Sequence, residues 1–208
     1  MLRSTLLLSL TLLLPGCGAM SLLGGEPNRD VFELRGPEIG TGQCGGAKVT
    51  ELVIEVPKAR GTLDSERIMI RPSVLETQYL PDAVWGDPVP VMVQRLLVET
   101  LGSYDTFGHV GREPLGLSAD YAMISEISSV NAELLEQGAL IRLAVEAQLI
   151  REMDATVAGR ARFEATSEAP STRTADLIPA FDAAAQELIG EMSAWTLGRV
   201  GANAANCR

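Results

Sequence analysis

Apolar and polar positions alternate most regularly between residues 140 and 165. From Leu140 to Ile150, Ile141, Leu143, Val145, Ala147 and Leu149 fall on one side, with Arg142, Glu146 and Gln148 on the other. From Ala155 to Ala165, Val157, Gly159, Ala161 and Phe163 alternate with Thr156, Arg160, Arg162 and Glu164. A period of two marks a strand with one buried and one wet face. Residues 151–154 join the two runs, so the spacing predicts an antiparallel hairpin. Val49–Val56 alternates and is rich in β-branched residues, which predicts a strand. Arg67–Arg71 (stopped by Pro72), Phe107–Arg112 and Ala119–Val130 are further strands. Asp30–Arg35 reads as a short strand or extended arm, 57–62 as a turn, and Val74–Leu80 as a short extended piece.

Two segments change period. Val89, Val93, Leu96, Leu97, Thr100 and Leu101 share one face of a helix ended by Gly102. Asp87 is the expected N-cap, and Pro88 suits a first turn, where no N–H is needed. Leu177, Ile178, Phe181, Ala185, Leu188, Ile189, Met192 and Trp195 recur three and four residues apart, a helix with a broad apolar stripe. The expected fold is α+β: a mainly antiparallel sheet of about six strands, with two long helices packed on one face.

The N-terminus is of another kind. Arg3 precedes the run LLLSLTLLL at residues 6–14, which ends at Pro15-Gly16-Cys17. A membrane span needs roughly 20 apolar residues, so the run is too short and reads as a signal segment. Leu14-Pro15-Gly16-Cys17 resembles a lipobox, with a small residue before a cysteine acylated on sulfur; Pro15 departs from the usual small residue at its position. The alternative is an ordinary secreted protein cut near Ala19. The domain boundaries that follow are 1–16 leader, 17–29 lipidated N-terminus and tether, 30–197 folded domain, and 198–208 tail. Each buried acyl CH₂ contributes about 0.8 kcal/mol to anchoring. Gly18, where some enteric bacteria place an inner-membrane retention Asp, favours the outer membrane over the inner.

Charge and cysteines narrow the picture. The net charge is −10, without a basic patch. That disfavours nucleic acid and charge-driven binding to anionic lipid. Beyond Cys17 the chain holds Cys44 and Cys207, an even number in an oxidising compartment. A Cys44–Cys207 disulfide is expected, contributing roughly 4 to 5 kcal/mol in the chain-entropy model; two free thiols are the alternative.

Catalytic chemistry is hard to place. Gly40-Thr41-Gly42-Gln43-Cys44-Gly45 matches G-x-G-x-x-G but leads into a strand, where a dinucleotide site needs a helix. His109 is the one histidine: no second His and no Cys/His cluster offers a zinc site, and a Ser-His-Asp triad would have to use His109 without a G-x-S-x-G elbow. Trp85 and Trp195 read as core residues. Neither an enzyme nor a cofactor is expected.

Several pieces in order resemble the ABC-type transport auxiliary lipoprotein family, which includes the paraquat-inducible C-type lipoproteins. They are Asp30–Leu34, Val56–Ala59, Leu63-Asp64-Ser65-Glu66-Arg67-Ile68, Tyr79, Trp85-Gly86-Asp87-Pro88, Gln94–Leu97, Ala147–Leu149, Phe163–Ala165, Ala180–Ala184 and Ala194-Trp195. The resemblance covers roughly residues 30–197. It implies a periplasm-facing, non-catalytic lipoprotein that docks an ABC transporter (permease and ATPase) and a mammalian-cell-entry domain protein. Such systems move phospholipid or other hydrophobic molecules between inner and outer membranes. The alternative is an assembly factor or chaperone for another envelope complex. Assembly of copies into a homo-oligomer is left open. Leu63, Asp64, Arg67, Trp85, Asp87 and Pro88 are expected to be structural: Asp64 and Arg67 as a pair or turn cap, Trp85 as a staple before the helix.

Overall fold

The computed structural model of the chain describes residues 29–38 and 49–202. Among the described residues nine strands form one sheet: β1 (Asp30–Phe32), β2 (Val49–Ile54), β3 (Lys58–Ala59), β4 (Arg67–Arg71), β5 (Gln78–Trp85), β6 (Phe107–Gly111), β7 (Tyr121–Leu134), β8 (Ala139–Arg151) and β9 (Thr156–Ala169). Helix α1 (Val89–Gly102) lies between β5 and β6, and α2 (Thr174–Arg199) follows β9.

β7 is the spine. β8 pairs antiparallel along its whole length on one edge. The other edge takes β2, β3 and β4 in turn, all parallel to it. β9 extends the sheet antiparallel beyond β8. β5 joins β4 antiparallel, and β1 and β6 add parallel edges to β5 and β2. Five of the eight strand pairings are therefore parallel.

This corrects the expected mainly antiparallel sheet of about six strands. The hairpin was legible because a four-residue turn forces opposite directions. The parallel pairings are made across long excursions, which leave no local mark. Residues 57–62, expected as a turn, contain β3, and the extended piece expected at 74–80 is displaced into β5.

Both helices cover one face. Met92 and Leu96 of α1, Leu188 and Ile189 of α2, and Val130 and Leu143 of the sheet meet in one apolar seam. The expected apolar stripe of α1 is buried throughout. Gln94 donates through Nε2 to the Ile54 carbonyl at 2.7 Å, tying α1 to β2. Trp85 is 1% exposed and stands edge-on to Phe181, 5.3 Å between ring centres. The opposite face is wet: Arg142 pairs with Glu133 at 2.9 Å and with Glu164, and Arg162 reaches Glu146 at 3.4 Å.

Two bulges change which residues face the helices. Between Ile127 and Ser129 the β7–β8 register shifts by one residue. Before it Met123 and Ile127 are in the core; after it, Val130 and Ala132. The Ser128 hydroxyl donates to the Ala144 carbonyl at 3.2 Å within the bulge. A second shift, between Leu149 and Ile150, sets Val157 opposite Ile150 on the wet face, where it is 44% exposed. The alternation had placed Val157 on the Phe163 side.

Candidate functional site

The motif residues of the sequence converge on one junction. Leu63 is buried in the core. The Asp64 N–H donates to the Arg60 carbonyl at 2.9 Å, closing a turn. The Arg67 N–H donates to Ser65 Oγ at 3.0 Å, and its guanidinium lies 3.5 Å from the centre of the Tyr79 ring. The Trp85 N–H donates to the Glu66 carbonyl at 2.7 Å, and the Val89 N–H to the Ser65 carbonyl at 3.2 Å. The two segments thus hold each other, and the 63–68 turn satisfies the first amide of α1.

Asp87 does not cap α1. The residue at the cap position is Pro88, which has no side-chain donor or acceptor, and Asp87 instead approaches Arg95 at 3.8 Å. Arg67, expected to pair with Asp64 or to cap a turn with it, stacks on Tyr79. Cys17, Cys44 and Cys207 lie outside the described residues, as does the glycine motif at 40–45. His109 sits half-buried on β6, opposite Glu51. Among the described residues no group of three or more His, Cys, Asp or Glu is arranged to hold a metal ion.

The candidate site is the end of the sheet where β7 begins. The loop 112–120 enters β7 there, beside the β8–β9 turn. Three carboxylates hold these segments. Glu51, 9% exposed, accepts the Leu115 N–H. Asp120 accepts the Glu51 N–H at 2.9 Å. Glu152 accepts the Ala119 N–H at 2.6 Å, and the Glu152 N–H donates to the Asp120 carbonyl at 3.1 Å. In the turn, Asp154 accepts both the hydroxyl (2.6 Å) and the N–H (3.2 Å) of Thr156. The hydroxyl holds the Asp154 carboxyl below its ordinary value.

With its polar groups so occupied, this end presents apolar side chains to solvent. Leu115 is 75% exposed, Leu117 fully exposed and Met153 85%. A fixed backbone with exposed leucine and methionine suits contact with another apolar surface. Sequence reasoning missed this cluster. The signal was Pro114-Leu115-Gly116-Leu117, apolar residues between turn-formers where a loop needs none.

The geometry defines a class: two helices on one face of a mixed sheet, with apolar loop tips at an end. The chain belongs to the ABC-type transport auxiliary lipoprotein component family, whose model matches residues 32–193. Membership makes it a membrane-anchored protein of the cell envelope. Among the described residues no helix is long and apolar enough to cross a membrane. An uncharacterised protein of Bradyrhizobium diazoefficiens is 25% identical over 179 residues, covering 84% of this chain and 47% of that protein. The chain thus spans about half the length of that curated relative. The fold is shared with a Xanthomonas campestris protein of known crystal structure, at TM-score 0.70 and 22% identity, covering 82% of this chain and 96% of that one. A hypothetical protein of Chlamydia trachomatis matches at TM-score 0.53 and 12% identity, over 74% of this chain and 98% of that one.

Proposed function

We propose that the protein is a non-catalytic docking component of a transport system built from an ABC permease and ATPase and a mammalian-cell-entry domain protein. Its cargo is phospholipid or another hydrophobic molecule passing between the inner and outer membranes. The observation that carries the reading is the end bearing Leu115, Leu117 and Met153. It is held by Glu51, Asp120 and Glu152 and offers apolar contact. Family membership supports the transporter as partner. Acyl chains on Cys17 supply the anchor, in the outer membrane, and Cys44 and Cys207 form a disulfide. Non-reducing peptide mapping tests the disulfide: two free thiols in the mature protein refute it.

The test of function is cross-linking in cells, followed by purification in mild detergent and mass spectrometry. Co-recovery of a mammalian-cell-entry protein and its transporter is the expected result. Recovery of envelope assembly machinery without transporter peptides rejects it in favour of an assembly-factor role.

A further inference from the structure

At the other end of the sheet a second apolar tip is exposed. Val74 and Leu75, in the β4–β5 loop, are 83% and 97% exposed, and Leu135 in the β7–β8 turn is 53% exposed. The two segments face one cleft of about 280 Å³, lined by Arg71, Ser73, Val74, Glu133 and Leu135. Both are locally fixed. Arg71 Nη2 donates to the Val74 carbonyl. The turn is closed by the Leu135 N–H on the Gly138 carbonyl at 3.2 Å, with Gly138 at φ 76°, a conformation glycine tolerates. Arg71 Nε itself is buried, without a hydrogen-bond partner.

The strand directions say what lies beyond this tip. β4 runs parallel to β7, β5 runs back against β4, and β1 runs parallel to β5. β1 therefore points away from the 74/135 tip, and Asp30 stands at its end nearer that tip. The residues between Cys17 and Asp30 number twelve. The start of β1 lies within a few residues of the 135 end of β7 and about nine from its other end; a twelve-residue linker has an average span of roughly 20 Å, so an anchor on Cys17 favours the bilayer on this side of the domain.

We infer that Val74, Leu75 and Leu135 form a membrane-contacting tip that seats the domain on the bilayer holding its own anchor. This rests on the lipid-anchor reading of Cys17. The leucines and valine enter the headgroup boundary. Glu76 and Glu136 flank the tip, so the contact is apolar and does not depend on an anionic surface. Seated this way, the 115/117/153 end points away from the membrane, toward a partner.

The test uses the full lipidated protein in phosphatidylethanolamine vesicles with a minor share of phosphatidylglycerol. Leu75→Trp and, as the opposite-end control, Leu117→Trp are compared with wild type, which carries Trp85 and Trp195. Leu75→Trp should shift its emission to the blue and lose intensity when the acyl chains are brominated, at low and high salt alike; Leu117→Trp should do neither. Acylated protein in which Leu75→Trp is as insensitive to bromine as Leu117→Trp overturns the inference alone. A blue shift without bromine quenching also overturns it, and marks a protein surface or second copy as the occupant. Absence of acyl mass on the N-terminal peptide overturns the anchor reading and the inference with it.

Discussion

Trp85 and Asp87 are two residues apart in one motif and have opposite weights. Trp85 fills the contact between the sheet and Phe181 and is almost wholly buried. Trp85→Ala opens a cavity there and should cost about 3 to 5 kcal/mol by urea unfolding. Asp87, by contrast, makes only a long, half-exposed approach to Arg95. A true N-cap costs about 1 kcal/mol when removed; Asp87→Ala should cost under about 0.5 kcal/mol, the scale of a surface pair. A loss of 1 kcal/mol or more would restore the capping role that spacing alone suggested. Ala155, in the β8–β9 turn, holds φ 54°. That left-handed conformation costs a residue with a Cβ roughly 1 to 2 kcal/mol. Ala155→Gly relieves it at some cost in unfolded-state entropy, so a net gain of about 0.5 kcal/mol is expected in the same assay.

At the scale of elements, legibility followed register. β8 keeps its apolar positions on odd residues from Ile141 to Leu149, so its alternation was readable end to end. β7 changes from odd to even at the Ser128 bulge, and a pattern that changes phase looks like one that ends. That is why the expected strand stopped at Val130 although β7 runs to Leu134. The arm after β1 was legible only as extended chain. Its fastening is remote: the Arg35 N–H and guanidinium donate to Asp182 on α2 at 2.9, 3.1 and 2.5 Å, and Gln186 donates at 2.9 Å. Burial works to raise the Asp182 carboxyl, but the Arg35 bonds outweigh it and hold the group below its ordinary value. Glu133 is likewise lowered by Arg142, and Asp176 by the Ser171 hydroxyl and Arg173. Such groups contribute stability that is present above their unfolded value, near pH 4, and is lost as pH falls through the folded value. Tm should therefore be nearly flat from about pH 7 to 5 and fall below about pH 4. Asp182→Asn should lower Tm at neutral pH and reduce the acid-induced drop, as followed by calorimetry. An unchanged acid slope would remove this carboxylate from the account.

At the scale of the molecule, parallel order was unreadable because a strand's pattern reports its buried face and not its neighbour's direction. β2, β3 and β4 occupy successive stretches of a single edge of β7. The same order gives the sheet two distinct ends. One carries Val74, Leu75 and Leu135; the other carries Leu115, Leu117 and Met153. The candidate site escaped sequence reading for a related reason: Glu51, Asp120 and Glu152 are far apart in the chain and become a clamp only when β2, β7 and β8 align. Because the three apolar side chains are solvated and touch no core, replacing them should separate docking from folding. A Leu115→Asp, Leu117→Asp, Met153→Asp variant should keep the wild-type Tm within about 2 °C, since exposed substitutions fall within about ±0.5 kcal/mol each. It should also fail to recover transporter peptides after cross-linking in cells. Val74→Asp with Leu75→Asp, at the other end, should retain those peptides. Wild-type recovery by the triple variant would move the docking surface elsewhere, with the wet sheet face around Arg142 and Glu146 next in line; loss of recovery with a collapsed Tm would show that the loop 112–120 supports the fold, and the comparison would pass to Leu117→Asp alone.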